Sequence, residues 1–157
     1  MVEDKEAMKV LSIDPGGTTG WKIVTFDSFQ EPGNVKWRHG HIGPHKHHMG
    51  LRDFLSAEET GDLIIILEGF DNRGNPAAVL VALEYIGVVQ LWCKQNSVEC
   101  IVQQPAQKEW ATNKKLKACG IYVPGMKHSN DAARHLLVWL VCKMYFKPML
   151  KLLKENL

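Results

Sequence analysis

The stretch Met8-Lys-Val-Leu-Ser-Ile-Asp14-Pro-Gly-Gly-Thr-Thr-Gly20-Trp-Lys-Ile-Val-Thr-Phe26 governs the reading of the whole chain. Met8 to Ile13 is a short apolar run that ends at Asp14. Gly20 to Asp27 is a second run, rich in Trp, Ile, Val, Thr and Phe, which suit a pleated and half-buried surface. Between the two, Pro-Gly-Gly-Thr-Thr makes a tight hairpin-type loop. Asn34 to Ile42 alternates through Val35, Trp37, His39 and His41 as a one-sided antiparallel strand does, which completes a three-stranded meander.

Outward from this meander, His48 to Thr60 reads as a modest helix. Asp62-Leu-Ile-Ile-Ile-Leu-Glu68 reads as a central strand, because five successive branched apolar residues fit a sheet covered on both faces. Pro76 to Asn96 is a helix with Pro near its first turn, apolar almost all round except at Glu84, Gln90 and Lys94. Val98 to Gln103 is a fifth strand, and Lys108 to Cys119 is basic and irregular or weakly helical. Asn130 to Phe146 is a long helix with Leu136, Leu137, Leu140 and Val141 toward the core, ended by Pro148; residues 147–157 form a short helical tail. The order β-β-β-α-β-α-β-α predicts an α/β fold. Its mixed five-stranded sheet has three antiparallel strands and then parallel ones, with helices on both faces, as in the ribonuclease-H-like fold.

Composition agrees with one domain over residues 1–157, its core over 8–143: 45% hydrophobic and 23% charged residues describe a well-cored globule and exclude a disordered or fibrous chain. Nothing approaches the roughly 18 uninterrupted apolar residues of a membrane span, and the opening residues are too acidic for a secretory signal. A cytoplasmic protein without a membrane partner is expected. Cys93, Cys100, Cys119 and Cys142 include no Cys-x-x-Cys pair and lie in apolar segments, so they read as reduced core thiols. The net charge of +2 conceals an asymmetry: up to Cys93 the chain carries net −5, and from Lys94 onward net +7. Either a solvated basic surface or a polyanionic partner, most commonly nucleic acid, accounts for that.

Ligands collect at the carboxyl ends of parallel strands, and Asp14 and Glu68 close two strands of this kind. A carboxylate directly after Ile-Ile-Ile-Leu costs several kcal/mol of desolvation unless it is paired or binds a metal. Two of them in neighbouring strands favour a shared site over separate caps. His128 and Asp131, three apart at the start of the last long helix, share a face if the helix has begun by then, although Asp131 also suits the helix dipole and Ser129 or Asn130 suits a cap. Together Asp14, Glu68, His128 and Asp131 can surround two divalent cations roughly 4 Å apart. Such a pair activates water for in-line attack on a phosphodiester. Hard oxygen ligands point to Mg²⁺, with Mn²⁺ a substitute, and Asp14 is the candidate bridging ligand.

At this point a family resemblance carries further. Leu11-Ser-Ile-Asp-Pro-Gly-Gly-Thr-Thr-Gly-Trp21 resembles the first strand and turn of RuvC-type Holliday junction resolvases, and Ile66-Leu-Glu-Gly-Phe70 resembles their second acidic motif. His128-Ser-Asn-Asp-Ala-Ala-Arg-His-Leu-Leu137 resembles their C-terminal motif in the His-x-x-Asp form of some bacterial and many phage-type members. The resemblance covers about residues 8 to 143. It implies a metal-dependent, dimeric endonuclease that nicks two opposing strands of a four-way DNA junction, with Asp14, Glu68, His128 and Asp131 at the catalytic positions. A phage origin, and so a host cytoplasm, fits the same motif. The family's basic, glycine-containing stretch before the last motif is replaced here by Gln103 to Lys117, so neither a cut-site preference nor selectivity against forks and flaps follows.

The remaining features have two readings each. Gly16 to Gly20 is a Gly-rich hairpin or a phosphate-cradling turn like that of sugar kinases and actin-like ATPases. Phe70 is a packing residue or a wedge that stacks on unpaired bases, with Arg73 a phosphate contact. Lys108, Lys114, Lys115, Lys117 and Lys127, with Trp110 among them, form a solvated loop or line the approach of DNA to the sheet edge; the motifs favour DNA. His39, His41, His45, His47 and His48 read as a surface feature rather than a metal site, for want of other ligands at suitable spacing. His135, one turn after Asp131, is a hydrogen-bond partner of that carboxylate or an ordinary helical neighbour. The helix from Pro76 to Asn96 is a core helix or, for a substrate with two-fold symmetry, the interface of an isologous dimer. Outside the resolvase reading stand a nuclease acting on RNA or RNA/DNA hybrids, a junction-binding module without cleavage, and an actin-like half-domain.

Overall fold

The computed structural model describes residues 7–29, 32–58, 60–70 and 76–157, apart from the side chains at 45, 47, 78 and 79. Strands β1 (Met8–Asp14), β2 (Thr19–Phe26), β3 (Lys36–Ile42), β4 (Leu63–Glu68) and β5 (Glu99–Gln103) form one sheet in the order β3-β2-β1-β4-β5. β1, β2 and β3 pair antiparallel, whereas β4 runs parallel to β1 and β5 parallel to β4. The hairpin, the branched apolar strand and the crossover helix thus take the places their patterns predict.

Alternation along the strands sends side chains to two cores. Leu11, Ile13, Ile23, Ile65 and Leu67 pack on one face beneath α1 (His47–Ser56) and α2 (Pro76–Gln95). Val10, Val24, Phe26 and Ile66 pack on the other, beneath α3 (Asn113–Ala118), α4 (Lys127–Val138) and α5 (Lys147–Asn156). The period of two then places Asp14 and Glu68 on the α4 face, in line with Val10 and Ile66. Lys22 also lies on this face. It is buried, donates from Nζ to the Ile121 carbonyl at 2.9 Å, and is pushed by burial down to about 8.

The last helix departs from expectation at both ends. It starts at Lys127, so His128 and Asp131 are already helical, and it continues past Val138 as a π-helical turn, Trp139–Lys143. Tyr145, at φ 50°, then reverses the chain. Pro148 starts α5 rather than ending the preceding helix, as suits a residue with no N–H to donate in a first turn. Apolar periodicity concealed the break because Phe146, beyond it, is itself fully buried against Phe26, ring centroids 4.9 Å apart. The basic segment after β5 resolves into a 3₁₀ turn (Pro105–Trp110) and α3. Cys142 is exposed, which corrects its reading as a core thiol; Cys93 and Cys119 are buried. Among the described residues no helix is long and apolar enough to cross a membrane.

The N-terminus of α4 is held by one contact to the start of β2 and two to the loop that precedes the helix. Ser129 Oγ donates to the Trp21 carbonyl at 3.2 Å, and Asn130 clamps the preceding loop by accepting from Val123 N at 2.9 Å and donating to Val123 O at 2.7 Å. Beside them the helix backbone at His128 lies so close over Gly20 that any Cβ there would overlap it. Gly20→Ala is therefore expected to lower stability by about 1–3 kcal/mol, the usual cost of overpacking. Urea denaturation would read this as a lower midpoint with an unchanged slope.

Candidate active site

Parallel pairing of β1 with β4 sets Ile13 beside Leu67, so the next residues, Asp14 and Glu68, end adjacent strands on the same face. Adjacent strands lie about 4.8 Å apart, and two carboxylates so placed repel unless one takes a proton or a cation comes between them. The two carboxylates respond in opposite directions. Burial first, then the charge of Glu68, pushes Asp14 up to about 6 against the pull of His128 and Lys108. Glu68 goes the other way: burial would raise it, but hydrogen bonds from His135 and Lys108 and their charges bring it down to about 2.

Helix α4 brings the remaining groups. His128 Nδ1 donates to Asp14 Oδ2 at 3.2 Å, and this bond raises the imidazole above its ordinary value. Asp131, one turn on, faces Lys108 Nζ at 3.8 Å and Arg134 Nε at 3.5 Å. Arg134 also donates to Asn113 Oδ1 at 2.9 Å, which ties α4 to α3. The four acidic and histidine candidates are thus brought to one edge of the sheet. Among the described residues, however, no three His, Cys, Asp or Glu side chains converge closely enough to cage an ion as they stand.

The cation at the centre is Lys108. Expected on the approach to the site, it instead reaches in from the 3₁₀ turn, with Nζ 3.0 and 2.9 Å from the two oxygens of Glu68. Burial would lower its pKa, but Glu68, Asp14 and Asp131 together raise it. His135 also differs from expectation. Its Nε2 lies 3.0 Å from Glu68 Oε2, not on Asp131, and its Nδ1 lies 2.8 Å from Gln103 Oε1. Two signals for these residues were present in the sequence. Positions 128, 131 and 135 share one helical face, and Gln103 ends the parallel strand next to Glu68.

The other candidates are dispersed. Lys114, Lys117 and Lys127 are exposed along α3 and the start of α4. Lys115 lies over the Trp110 ring at 3.7 Å and donates to the Trp110 carbonyl at 2.9 Å, whereas Lys117 lies 5.0 Å from the centroid of Tyr122. A cleft of about 390 Å³, lined by Asn113, Tyr122, Lys127 and Arg134 among others, opens beside Asp131. Phe70, two residues past Glu68, is partly exposed; Arg73 lies outside the described residues. The Gly16 to Gly20 segment is a hairpin turn in which Thr19 Oγ1 donates to the Gly16 carbonyl at 3.1 Å. His39 and His41 sit on β3, while His48 stacks on Tyr85 and bonds Glu84 at 2.9 Å.

The Asp14 and Glu68 shifts have opposite effects on stability. The neutral Asp14 carboxyl contributes fully below its ordinary value of 3.8, and that contribution is lost as pH rises through about 6. The Glu68 contribution is complete above its ordinary 4.5 and is lost as pH falls through about 2. In EDTA, Asp14→Asn is expected to melt above the wild type at pH 7 to 8, with the gap closing as pH falls toward the ordinary Asp range. Thermal melts across that range decide it: an equal gap at both extremes would refute a burial-driven shift at Asp14.

Compared by sequence, the chain matches no family model and no curated protein. Compared by structure, it superposes on Thermus thermophilus RuvC, solved in complex with a Holliday junction substrate, with a TM-score of 0.63 at 18% identity; the match covers 87% of this chain and 96% of that one. A second Thermus thermophilus RuvC structure gives a TM-score of 0.62 at 18% identity, over 88% and 98%. The fowlpox virus Holliday junction resolvase gives 0.57 at 14% identity, over 86% and 99%. The mixed sheet, the helices on its two faces and the strand order are those of the ribonuclease-H-like fold that RuvC and the poxvirus resolvase share.

Proposed function

We propose that this chain is a divalent-metal-dependent endonuclease that resolves four-way DNA junctions, working as a homodimer. One observation carries the reading: Asp14, Glu68, Asp131 and His128 gather at one sheet edge on a fold shared with proteins described as Holliday junction resolvases.

The donor set suits hard cations. Three carboxylates and an imidazole lie along the edge that already draws in the ammonium of Lys108, and burial first, then the charge of Glu68, pushes Asp14 up to about 6. Mg²⁺ is the expected ion, Mn²⁺ its substitute, two per site, held by Asp14, Glu68, His128 and Asp131. When bound, such ions supply Lewis-acid activation of water and neutralise charge building on the phosphodiester. His128 holds Asp14 by its Oδ2 oxygen through Nδ1, which leaves Nε2 as the nitrogen that would meet a cation. Lys108, with Glu68 released, neutralises a phosphate oxygen. The reading uses no nucleophilic side chain: water is the nucleophile, and the products are 5′-phosphate and 3′-hydroxyl ends. Lys127 and Arg134, on the cleft beside Asp131, hold flanking phosphates together with Lys114, Lys115 and Lys117 of the preceding helix. Phe70 stacks on bases unpaired at the junction centre, a contact worth about 1–3 kcal/mol per base.

Helix α2 supports the dimer. Leu80, Leu83 and Leu91 are 61%, 40% and 58% exposed, and they share a helical stripe with Gly87, whose surroundings are open. Two copies of this stripe related by a two-fold axis would cross closely at Gly87, the arrangement that cutting two symmetry-related strands requires.

An end-labelled immobile four-way junction, with duplex, fork and hybrid controls, tests the activity. Paired opposing nicks are expected with Mg²⁺, falling to the EDTA level in Asp14→Asn and Asp131→Asn while junction binding persists. Binding without any cutting by the wild type would replace the enzyme with a binding module, and cleavage of the hybrid alone would discard the substrate. For the dimer, Leu91→Glu is expected to sediment as a monomer and to lose coupling between the two nicks; an unchanged sedimentation coefficient would place the interface elsewhere.

A further inference from the structure

Two polar side chains are sealed behind Glu68, where the proposed chemistry needs neither a ligand nor a DNA contact. His135 is fully buried and Gln103 is 4% exposed. The core on this face of the sheet, which includes Ile66, Ile101 and Leu136, is apolar. A buried polar group without a partner costs roughly 1–3 kcal/mol, so both must be bonded to be tolerated. They are bonded to each other and to Glu68. His135 Nε2 lies 3.0 Å from Glu68 Oε2, and Nδ1 lies 2.8 Å from the Gln103 side chain.

Atom chemistry fixes the sense of this chain of bonds. An ionised carboxylate only accepts, so Nε2 carries the hydrogen that meets Glu68 Oε2. The Gln103 amide can meet Nδ1 with either of its ends, and the ring is therefore held at both nitrogens. Gln103 is anchored in turn, because its carbonyl accepts from Gly69 N at 2.7 Å, which joins the strand end of β5 to the residue after Glu68. Of the two Glu68 oxygens, Oε2 is already taken by the imidazole. Lys108 meets both oxygens, Oε1 at 3.0 Å and Oε2 at 2.9 Å, so Oε1 carries the ammonium without the imidazole.

We propose that His135, locked by Gln103, is a positioning residue that pins the Glu68 carboxylate by Oε2, so that Oε1 is the oxygen presented to a divalent cation. The role rests on the metal-dependent reading above. It differs from a packing role in acting through one donated hydrogen bond, which a glutamine at 135 retains and a leucine does not.

The test compares full-length wild type, His135→Leu, His135→Gln and Gln103→Leu, each below its melting temperature. Mn²⁺ affinity is read without DNA from the free-ion electron paramagnetic resonance signal, junction binding in EDTA, and single-turnover cleavage in Mg²⁺. His135→Leu is expected to weaken Mn²⁺ binding about 10- to 100-fold, the usual effect of losing a group that orients a metal ligand, and to slow cleavage correspondingly with junction binding in EDTA unchanged. His135→Gln is expected to recover most of both, and Gln103→Leu to fall between. Wild-type Mn²⁺ affinity in His135→Leu overturns the proposal, as does a His135→Gln protein as impaired as His135→Leu. If His135→Leu does not fold, Gln103→Leu decides alone: unchanged Mn²⁺ affinity overturns the lock. Loss of Mn²⁺ binding in a protein whose wild type cuts no DNA would sustain the positioning role and sink the nuclease; junction cutting with Mn²⁺ affinity indifferent to residue 135 would do the reverse.

Discussion

Two carboxylates on neighbouring parallel strands cannot both be ionised, half-buried and unaccompanied, and much of the structure around Asp14 and Glu68 answers that constraint. At an effective dielectric near 20, unit charges 4 Å apart interact by about 4 kcal/mol, comparable to the stability margin of many domains. The chain supplies compensation from three directions: Lys108 from the turn after β5, His135 from the buried face of α4, and His128 from its exposed start. The compensation is unequal. Glu68 receives an ammonium and an imidazole and is held ionised to about 2, whereas Asp14 receives a single imidazole and is left near 6. An acidic site with one firm and one yielding carboxylate is suited to taking up further positive charge.

Helix α4 couples this chemistry to folding. The turn that carries His128 and Asp131 also carries Ser129, whose hydrogen bond to Trp21 seats the helix on the sheet, and Asn130, whose bonds to Val123 hold the preceding loop. Gly20 permits the seating, because β2 and the helix backbone approach too closely there for a side chain. Further along, Ala132, Ala133, Leu136 and Leu137 enter the core that also holds Phe26 and Phe146. Geometry at the acidic edge is therefore tied to the packing of the last helix.

The net positive charge of the second part of the chain has a more divided use than its total suggests. Lys108 is engaged by carboxylates and Arg134 by Asp131 and Asn113, Lys115 and Lys117 lie against the Trp110 and Tyr122 rings, and Lys114 and Lys127 are exposed, Lys127 on the cleft beside Asp131. Charge patterning located the basic region but gave no sign that Lys108 turns inward to Glu68. Composition cannot tell a cation that screens buried acids from one that waits for a phosphate.

Period-two alternation, a Gly-rich turn, the run Leu-Ile-Ile-Ile-Leu and the apolar helix after Pro76 determined five strands in their order and helices on both faces. All of these are local patterns whose hydrophobic sides admit one consistent burial. Strand-end logic also determined that Asp14 and Glu68 would be neighbours, since parallel pairing leaves them no other place. Tertiary structure alone decided that Lys108 enters the acidic cluster, that His135 turns to Glu68 rather than Asp131, and that Gln103 stands behind it. The physical reason is that these contacts join residues 32 to 67 positions apart, across elements whose docking depends on ångström-scale packing; sequence spacing specifies a side chain's face but not which of two carboxylates it will reach.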